Sequence, residues 1–206
     1  MDVKFYDGGI AVIENFYDER ELKLIWKELD YLTKFGKLLP PEKTGTSRDE
    51  KGNPLKHNHG LFLDEYYSNR NFSNILNVNR KAWTVATKEF IDNSLCFRYL
   101  NSCNQDSTLL NYYENGDFYK PHVDMSVYTV LSYFYKEPKK FEGGNLKLQD
   151  YNLEIEVKNN MVVYMPSILV HEVTPIVMEE NSKGFGRYSI SPVSYTHLTL
   201  PTNREV

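Results

Sequence analysis

The sequence predicts an α+β fold with a mainly β core, a sandwich or jelly roll set behind N-terminal helices. Three observations carry this reading. Helical periodicity is confined to the first hundred or so residues, and from about residue 108 the apolar pattern changes to period two. Aromatic side chains are abundant, with sixteen Tyr and eleven Phe in 206 residues, and such rings pack well on a pleated surface.

Taken in order, Ile10-Ala11-Val12-Ile13 reads as a short strand. Asp18-Glu19-Arg20-Glu21 has capping-box spacing, with Asp at the N-cap and Glu three residues on. Leu22, Ile25, Trp26, Leu29 and Leu32 follow at helical spacing, so a helix is expected over about 19–34. Residues 40–60, PPEKTGTSRDEKGNPLKHNHG, hold three Pro and three Gly among many charged residues. That composition predicts a long mobile loop, and such loops often act as lids. His57 and His59 read as ordinary solvated residues within it, with a substrate mouth as the alternative. A second helix is expected over 71–92, with Ile75, Val78, Ala82, Val85 and Phe90 as its apolar face.

Beyond it, Leu109 to Tyr113 reads as a strand closed by the Asn115-Gly116 turn. Val127 to Tyr135 is apolar on both faces, as a central strand should be. Strands are also expected around Leu146–Leu148, Leu153–Val157, Met161–Met165, Val170–Val177 and Arg187–Ser191, about eight short strands in all. Gly143-Gly144 and Asn159-Asn160 punctuate them as turns. The expected organisation is a single domain over residues 1–193, its helical part about 10–95 and its core about 108–191. SYTHLTLPTNREV, residues 194–206, resembles a translated cloning scar, so it is set aside as non-native and His197 is discounted as a ligand.

Net charge is −4 and the pI about 5.8, with no basic run longer than Lys139-Lys140. A phosphate backbone is therefore a disfavoured partner. Cys96 and Cys103 match no zinc or redox spacing and fit a reducing compartment. With no signal segment and no apolar run long enough to span a bilayer, the expected location is cytoplasmic, without a membrane partner.

His122 and Asp124 lie two apart, and residues i and i+2 of a strand share a face. Imidazole plus carboxylate suits a divalent first-row metal. His171 would complete a set of two His and one carboxylate, which leaves adjacent coordination positions open for reaction. Arg187 follows His171 by sixteen residues, in a strand expected to run beside it, and an arginine can hold a carboxylate through two donors. Ser189 shares its face, and Tyr133 on the central strand and Tyr113 are further donors. A surface His-Asp pair, a core histidine and a surface Arg ion pair are the competing structural readings.

In order along the chain stand YxxGxFYxPHxD over Tyr113–Asp124, a Gly-Gly pair before a strand, HxVxP from His171, and GRYSIS at 186–191. Together they resemble the Fe(II)- and 2-oxoglutarate-dependent dioxygenases, in particular the prolyl 4-hydroxylase-like group. The resemblance covers roughly 108–191, with IAVIENFYDERE at its N-terminal approach. It implies a double-stranded β-helix (jelly roll) with flanking N-terminal helices. It implies Fe(II) on His122, Asp124 and His171, 2-oxoglutarate anchored by Arg187, and Tyr113 and Tyr133 near that co-substrate. It further implies O2 as a reactant, ascorbate as an accessory reductant, and a peptide or small-molecule substrate. Two departures stand out. The interval from His171 to Arg187 is longer than usual, and is expected to form a hairpin loop. The anchor is Arg, where collagen-acting relatives often have Lys. A metal-dependent hydrolase and a non-enzymatic jelly-roll metal-binding module are the alternative functions.

Overall fold

The computed structural model describes residues 2–179 and 184–195. The N-terminal part runs β1 (Asp2–Tyr6), β2 (Ile10–Glu14), α1 (Glu19–Lys34), β3 (Lys56–His57), β4 (His59–Phe62), α2 (Leu63–Tyr66), α3 (Asn74–Glu89) and α4 (Leu95–Arg98). The β-rich part follows as β5 (Gln105–Tyr113), β6 (Phe118–His122), β7 (Tyr128–Phe134), β8 (Phe141–Gly143) and β9 (Leu146–Leu148). It closes with β10 (Leu153–Ile155), β11 (Met161–Pro166), β12 (His171–Val173), β13 (Ile176–Met178) and β14 (Arg187–Tyr195).

Helix α1 begins where the capping box places it. Asp18 Oδ1 accepts from the Glu21 N–H at 2.8 Å, and Glu21 Oε2 accepts from the Asp18 N–H at 2.8 Å. Ile25, Leu29 and Leu32 are buried on its inner face. Glu28 is buried with them, which hydrophobic spacing does not anticipate. Its carboxylate accepts from Ser73 Oγ at 2.7 Å and from the Ile75 N–H at 3.0 Å. It thus ties α1 to the first turn of α3, where free backbone donors favour an anion. Glu28→Ala is expected to cost about 2–3 kcal/mol of unfolding free energy, read as a lower urea midpoint with an unchanged slope.

Two antiparallel sheets form the core, in the orders β1-β2-β11-β7-β14-β5-β4 and β10-β9-β12-β6-β3, with β13-β8 as a small third pair. This is the double-stranded β-helix the motifs imply, and β7 is the central strand of the larger sheet. Period two explains why its strands are apolar on both faces. On β11, Val162 and Tyr164 point to a core shared with the helices, while Met161, Val163 and Met165 point to the other sheet. On β5 and β14, Leu110, Tyr112, Tyr188 and Ile190 join the helix-side core. The alternate residues Leu109, Asn111, Tyr113, Arg187, Ser189 and Ser191 line a cavity between the sheets. The same alternation that builds the core therefore leaves polar side chains aimed inward on one stretch of two neighbouring strands.

Three expectations are corrected. The Val170–Val177 strand is two strands, β12 and β13, which break at Thr174-Pro175 and join different sheets. Proline has no N–H to continue the ladder. The Arg187 strand does not run beside the His171 strand: β14 lies in the larger sheet and β12 in the smaller, so the two face each other across the sandwich. Residues 40–60 are not a free loop, because β3 pairs with β6 and β4 with β5. His57 is solvent-exposed as expected, and its Nδ1 also lies 2.5 Å from Asp117 Oδ1.

The Asn115-Gly116 turn carries the chain from β5 in one sheet to β6 in the other, and Gly116 has the left-handed φ of +82° that such a turn needs. Strand β14 continues to Tyr195, with Ser194 and Tyr195 opposite Asp106 and Gln105. Residues 196–206, and His197 with them, lie outside the described residues, as do residues 180–183 of the interval expected to form a hairpin loop. Among the described residues no helix is long and apolar enough to cross a membrane.

Candidate metal centre

His122 and His171 stand directly opposite each other in the β6–β12 register, so two neighbouring strands deliver two imidazoles to one point. Asp124 arrives differently from the expectation, because β6 ends at His122 and Asp124 follows it outside the strand. Its position is fixed by hydrogen bonds instead. Its N–H donates to the Ser167 carbonyl at 3.0 Å, and its Oδ2 accepts from Thr129 Oγ1 at 2.7 Å.

The resulting carboxylate bridges the two rings. Asp124 Oδ1 lies 3.7 Å from His122 Nε2, and Asp124 Oδ2 lies 3.7 Å from His171 Nε2. One donor atom from each of the three residues falls within 4.8 Å of the others. With metal–donor bonds of about 2.1 Å, donors on one ion stand roughly 3–4 Å apart, so the set fits a shared cation. The tautomers agree. His122 Nδ1 lies 2.8 Å from the Lys120 carbonyl and His171 Nδ1 2.9 Å from the Leu169 carbonyl. A carbonyl only accepts, so each Nδ1 carries the proton and each Nε2 lone pair faces the centre. Burial, aided by the neighbouring His171, pushes the His122 imidazole down to about 4, which keeps it a neutral ligand at physiological pH. The Tyr119 ring stacks on His122 with centroids 3.5 Å apart.

Arg187 lines the same cavity from the opposite sheet and is 1% exposed. Its guanidinium carbon lies 4.8 Å from the Tyr113 ring centroid and 4.6 Å from that of Tyr133, a stacked setting suited to a guanidinium. Its Nε and Nη1 have no hydrogen-bond partner among the described residues, and neither does the Tyr133 hydroxyl. Buried donors left open in this way point to a ligand that satisfies them. Burial raises the Tyr133 phenol to about 12 and lifts Tyr113 further, with Arg187 opposing in both. Both therefore remain hydrogen donors. The cavity of about 80 Å³ holds several times what one water needs.

The structure thus brings together His122, Asp124, His171, Arg187, Ser189 and Tyr113 as walls of one cavity. Tyr133 is not among the lining residues; its ring lies against the Arg187 guanidinium, 4.6 Å from centroid to Cζ. Neither His57 nor His59 lines the cavity.

Sequence reasoning overlooked two participants. Gly144 reads in the sequence as a turn residue, but a Cβ there would lie 2.9 Å from Arg187 Cδ, and its φ is +67°. Gly144→Ala is expected to cost about 1–3 kcal/mol from the left-handed backbone and to displace Arg187, measured as a lowered melting temperature. Lys56 was lost in the polar loop, yet β3 turns it inward beside Gly45, and it is 2% exposed. Its Nζ donates to the Thr44 carbonyl at 3.0 Å and lies 5.6 Å from the Tyr119 ring centroid. Burial lowers the Lys56 ammonium to about 8, against the pull of the Asp124 carboxylate.

The jelly roll thus sets two histidines and a carboxylate, a donor set that fits a shared cation, opposite a buried arginine. Residues 108–192 match the family model of the 2OG-Fe(II) oxygenase superfamily, and the fold is similar to that of prolyl 4-hydroxylases. A PKHD-type hydroxylase of Herminiimonas arsenicoxydans is 29% identical over a 123-residue alignment that covers 52% of this chain and 54% of that protein. One from Janthinobacterium sp. (strain Marseille) is 32% identical over a 102-residue alignment that covers 42% of each chain. The matched region spans only about half the length of the first of these relatives. Among solved structures, a Pseudomonas putida prolyl-4-hydroxylase superimposes with a TM-score of 0.61 at 15% identity, covering 93% of this chain and 94% of that one. A Trichoplax adhaerens prolyl hydroxylase, solved with a hypoxia inducible factor oxygen degradation domain peptide fragment, gives 0.60 at 13% identity over 92% and 84%.

Proposed function

We propose that the protein is an Fe(II)- and 2-oxoglutarate-dependent dioxygenase of the hydroxylase type, with His122, Asp124 and His171 as iron ligands. The observation that carries this reading is the convergence of that donor set with Arg187 in one cavity. Iron bound there supplies the activation of O2: one oxygen atom goes to succinate as 2-oxoglutarate loses CO2, and the other to the substrate as a hydroxyl group.

The protein's own contribution is placement. Arg187 holds the far carboxylate of 2-oxoglutarate through the donors it leaves open, with Ser189 as an added hydroxyl donor and Tyr113 and Tyr133 framing the guanidinium. The backbone carbonyls of Lys120 and Leu169 keep both imidazoles in the ligand tautomer. Thr129 Oγ1 donates to the Asp124 carboxylate, and the Ser167 carbonyl accepts from the Asp124 N–H, which together fix that ligand's position.

The substrate is a protein prolyl residue or a small molecule, a reading supported by the hydroxylase names of the relatives and by the peptide bound to the Trichoplax adhaerens enzyme. Ascorbate as accessory reductant is carried by the family resemblance alone, and the cytoplasmic placement is supported by the two free thiols, Cys96 and Cys103.

A hydrolase using the same ions leaves the buried Arg187 without a task, and a binding module leaves the whole donor set without one. Succinate release that requires both Fe(II) and 2-oxoglutarate tests the proposal. Metal uptake without any 2-oxoglutarate turnover would instead favour those two alternatives.

A further inference from the structure

Lys56 is a buried cation that the metal and co-substrate do not need. It forms no salt bridge among the described residues, and the carboxylate that acts on it is Asp124. Asp124 is already committed to the metal centre. An ammonium has three donors, of which one is used, on the Thr44 carbonyl at 3.0 Å. The charges of the loaded site make the point sharper. A divalent ion, Asp124, Arg187 and the two carboxylates of 2-oxoglutarate cancel, so Lys56 leaves one positive charge in a water-poor cavity. An uncompensated buried charge is costly, and a third carboxylate would remove that cost.

The side of the cavity agrees. Arg187 stands on β14 of the larger sheet, whereas Lys56 stands on the edge strand β3 of the smaller one, beside Tyr119 and the Thr44-Gly45 turn. Leu109, Leu131 and Val173 supply apolar wall between the polar groups. Such a wall suits an aliphatic body that carries one anionic end.

We infer that Lys56 selects a primary substrate bearing a carboxylate, which it holds while the neighbouring carbon chain is presented to the metal. This rests on the oxygenase reading above. The carboxylate has two sources: the α-carboxylate of a free or C-terminal amino acid, or an Asp or Glu side chain within a peptide.

Calorimetric titration of the full chain, loaded with Fe(II) and 2-oxoglutarate under anaerobic conditions, separates them without turnover. One arm uses N-acetyl amino acids against their amides. The other uses end-capped peptides with a central Asp or Glu against Asn or Gln. The expected result is that one arm contains an acid bound at least about 30-fold more tightly than its neutral partner. That preference disappears in Lys56→Met and in Lys56→Gln, while 2-oxoglutarate binding survives both substitutions and is lost in Arg187→Met. If no acid outperforms its neutral partner, or if the preference persists without Lys56, the inference is wrong and the oxygenase reading stands. If Lys56→Met loses 2-oxoglutarate as Arg187→Met does, Lys56 belongs to the co-substrate and the inference is again wrong. Wild-type protein that takes up neither Fe(II) nor 2-oxoglutarate overturns both.

Discussion

Replacing His122 with alanine is expected to abolish Fe(II)-dependent succinate formation and to weaken metal binding by more than about 100-fold, since even the partners behind metal ligands are worth 10–100-fold. The geometry explains why no neighbour compensates. His122 and His171 face each other in register, and His122 Nε2 is 3.7 Å from Asp124 Oδ1. Its loss leaves two donors and a widened opening beside Tyr119, and among the described residues no His, Cys or carboxylate other than His171 and Asp124 lines the cavity. Metal content after dialysis, measured alongside succinate release, checks both halves. Wild-type turnover in this variant would remove His122 from the ligand set. Thr129→Val is the graded companion: it removes the 2.7 Å bond to Asp124 Oδ2 and should lower metal affinity by roughly 10-fold while keeping the three ligands.

The second large effect is at Arg187. Arg187→Met keeps the volume of a long unbranched side chain and removes the charge and all five donors. Affinity for 2-oxoglutarate should fall by about 2–5 kcal/mol, the usual cost of truncating one partner of a buried charge pair. Stability should move the other way in the ligand-free protein. Arg187 is 1% exposed with Nε and Nη1 unpartnered, so without ligand it is a charge held at a cost. The ligand-free variant is therefore expected to melt no lower than wild type. With metal and 2-oxoglutarate added, wild type should gain melting temperature by mass action and the variant should not. A variant that still gains it would show that the anchor lies elsewhere.

Much of this architecture is legible along the chain, for a physical reason that differs from element to element. Helix α1 is readable because its start is a local hydrogen-bond pattern, Asp18 with Glu21, and its face is a local period. Strand β7 is readable because burial on both faces requires a continuous apolar run. The donor set is readable because histidine is scarce, five in 206 residues, and His122 stands two residues before Asp124 in a recognisable motif with His171 downstream. Strand β1 was not anticipated: DVKFY is a mostly exposed edge strand, so its sequence carries little burial signal. Glu28 was not anticipated either, because only the start of α3, 45 residues away at Ser73, gives a buried carboxylate its partners.

What the sequence determined by itself is the chemistry available: a helical approach, a β core, two imidazoles and a carboxylate, and one arginine in a strand of alternating polarity. What only the tertiary structure decided is which side chains share a cavity. Asp124 reaches the centre although its strand has ended, because Ser167 and Thr129 hold it. Arg187 meets the site across the sandwich rather than along one sheet, through space that Gly144 leaves free. Lys56 becomes a wall of the cavity because β3 pairs with β6. Local spacing fixes which face of an element a residue occupies, but long-range pairing fixes what that face meets.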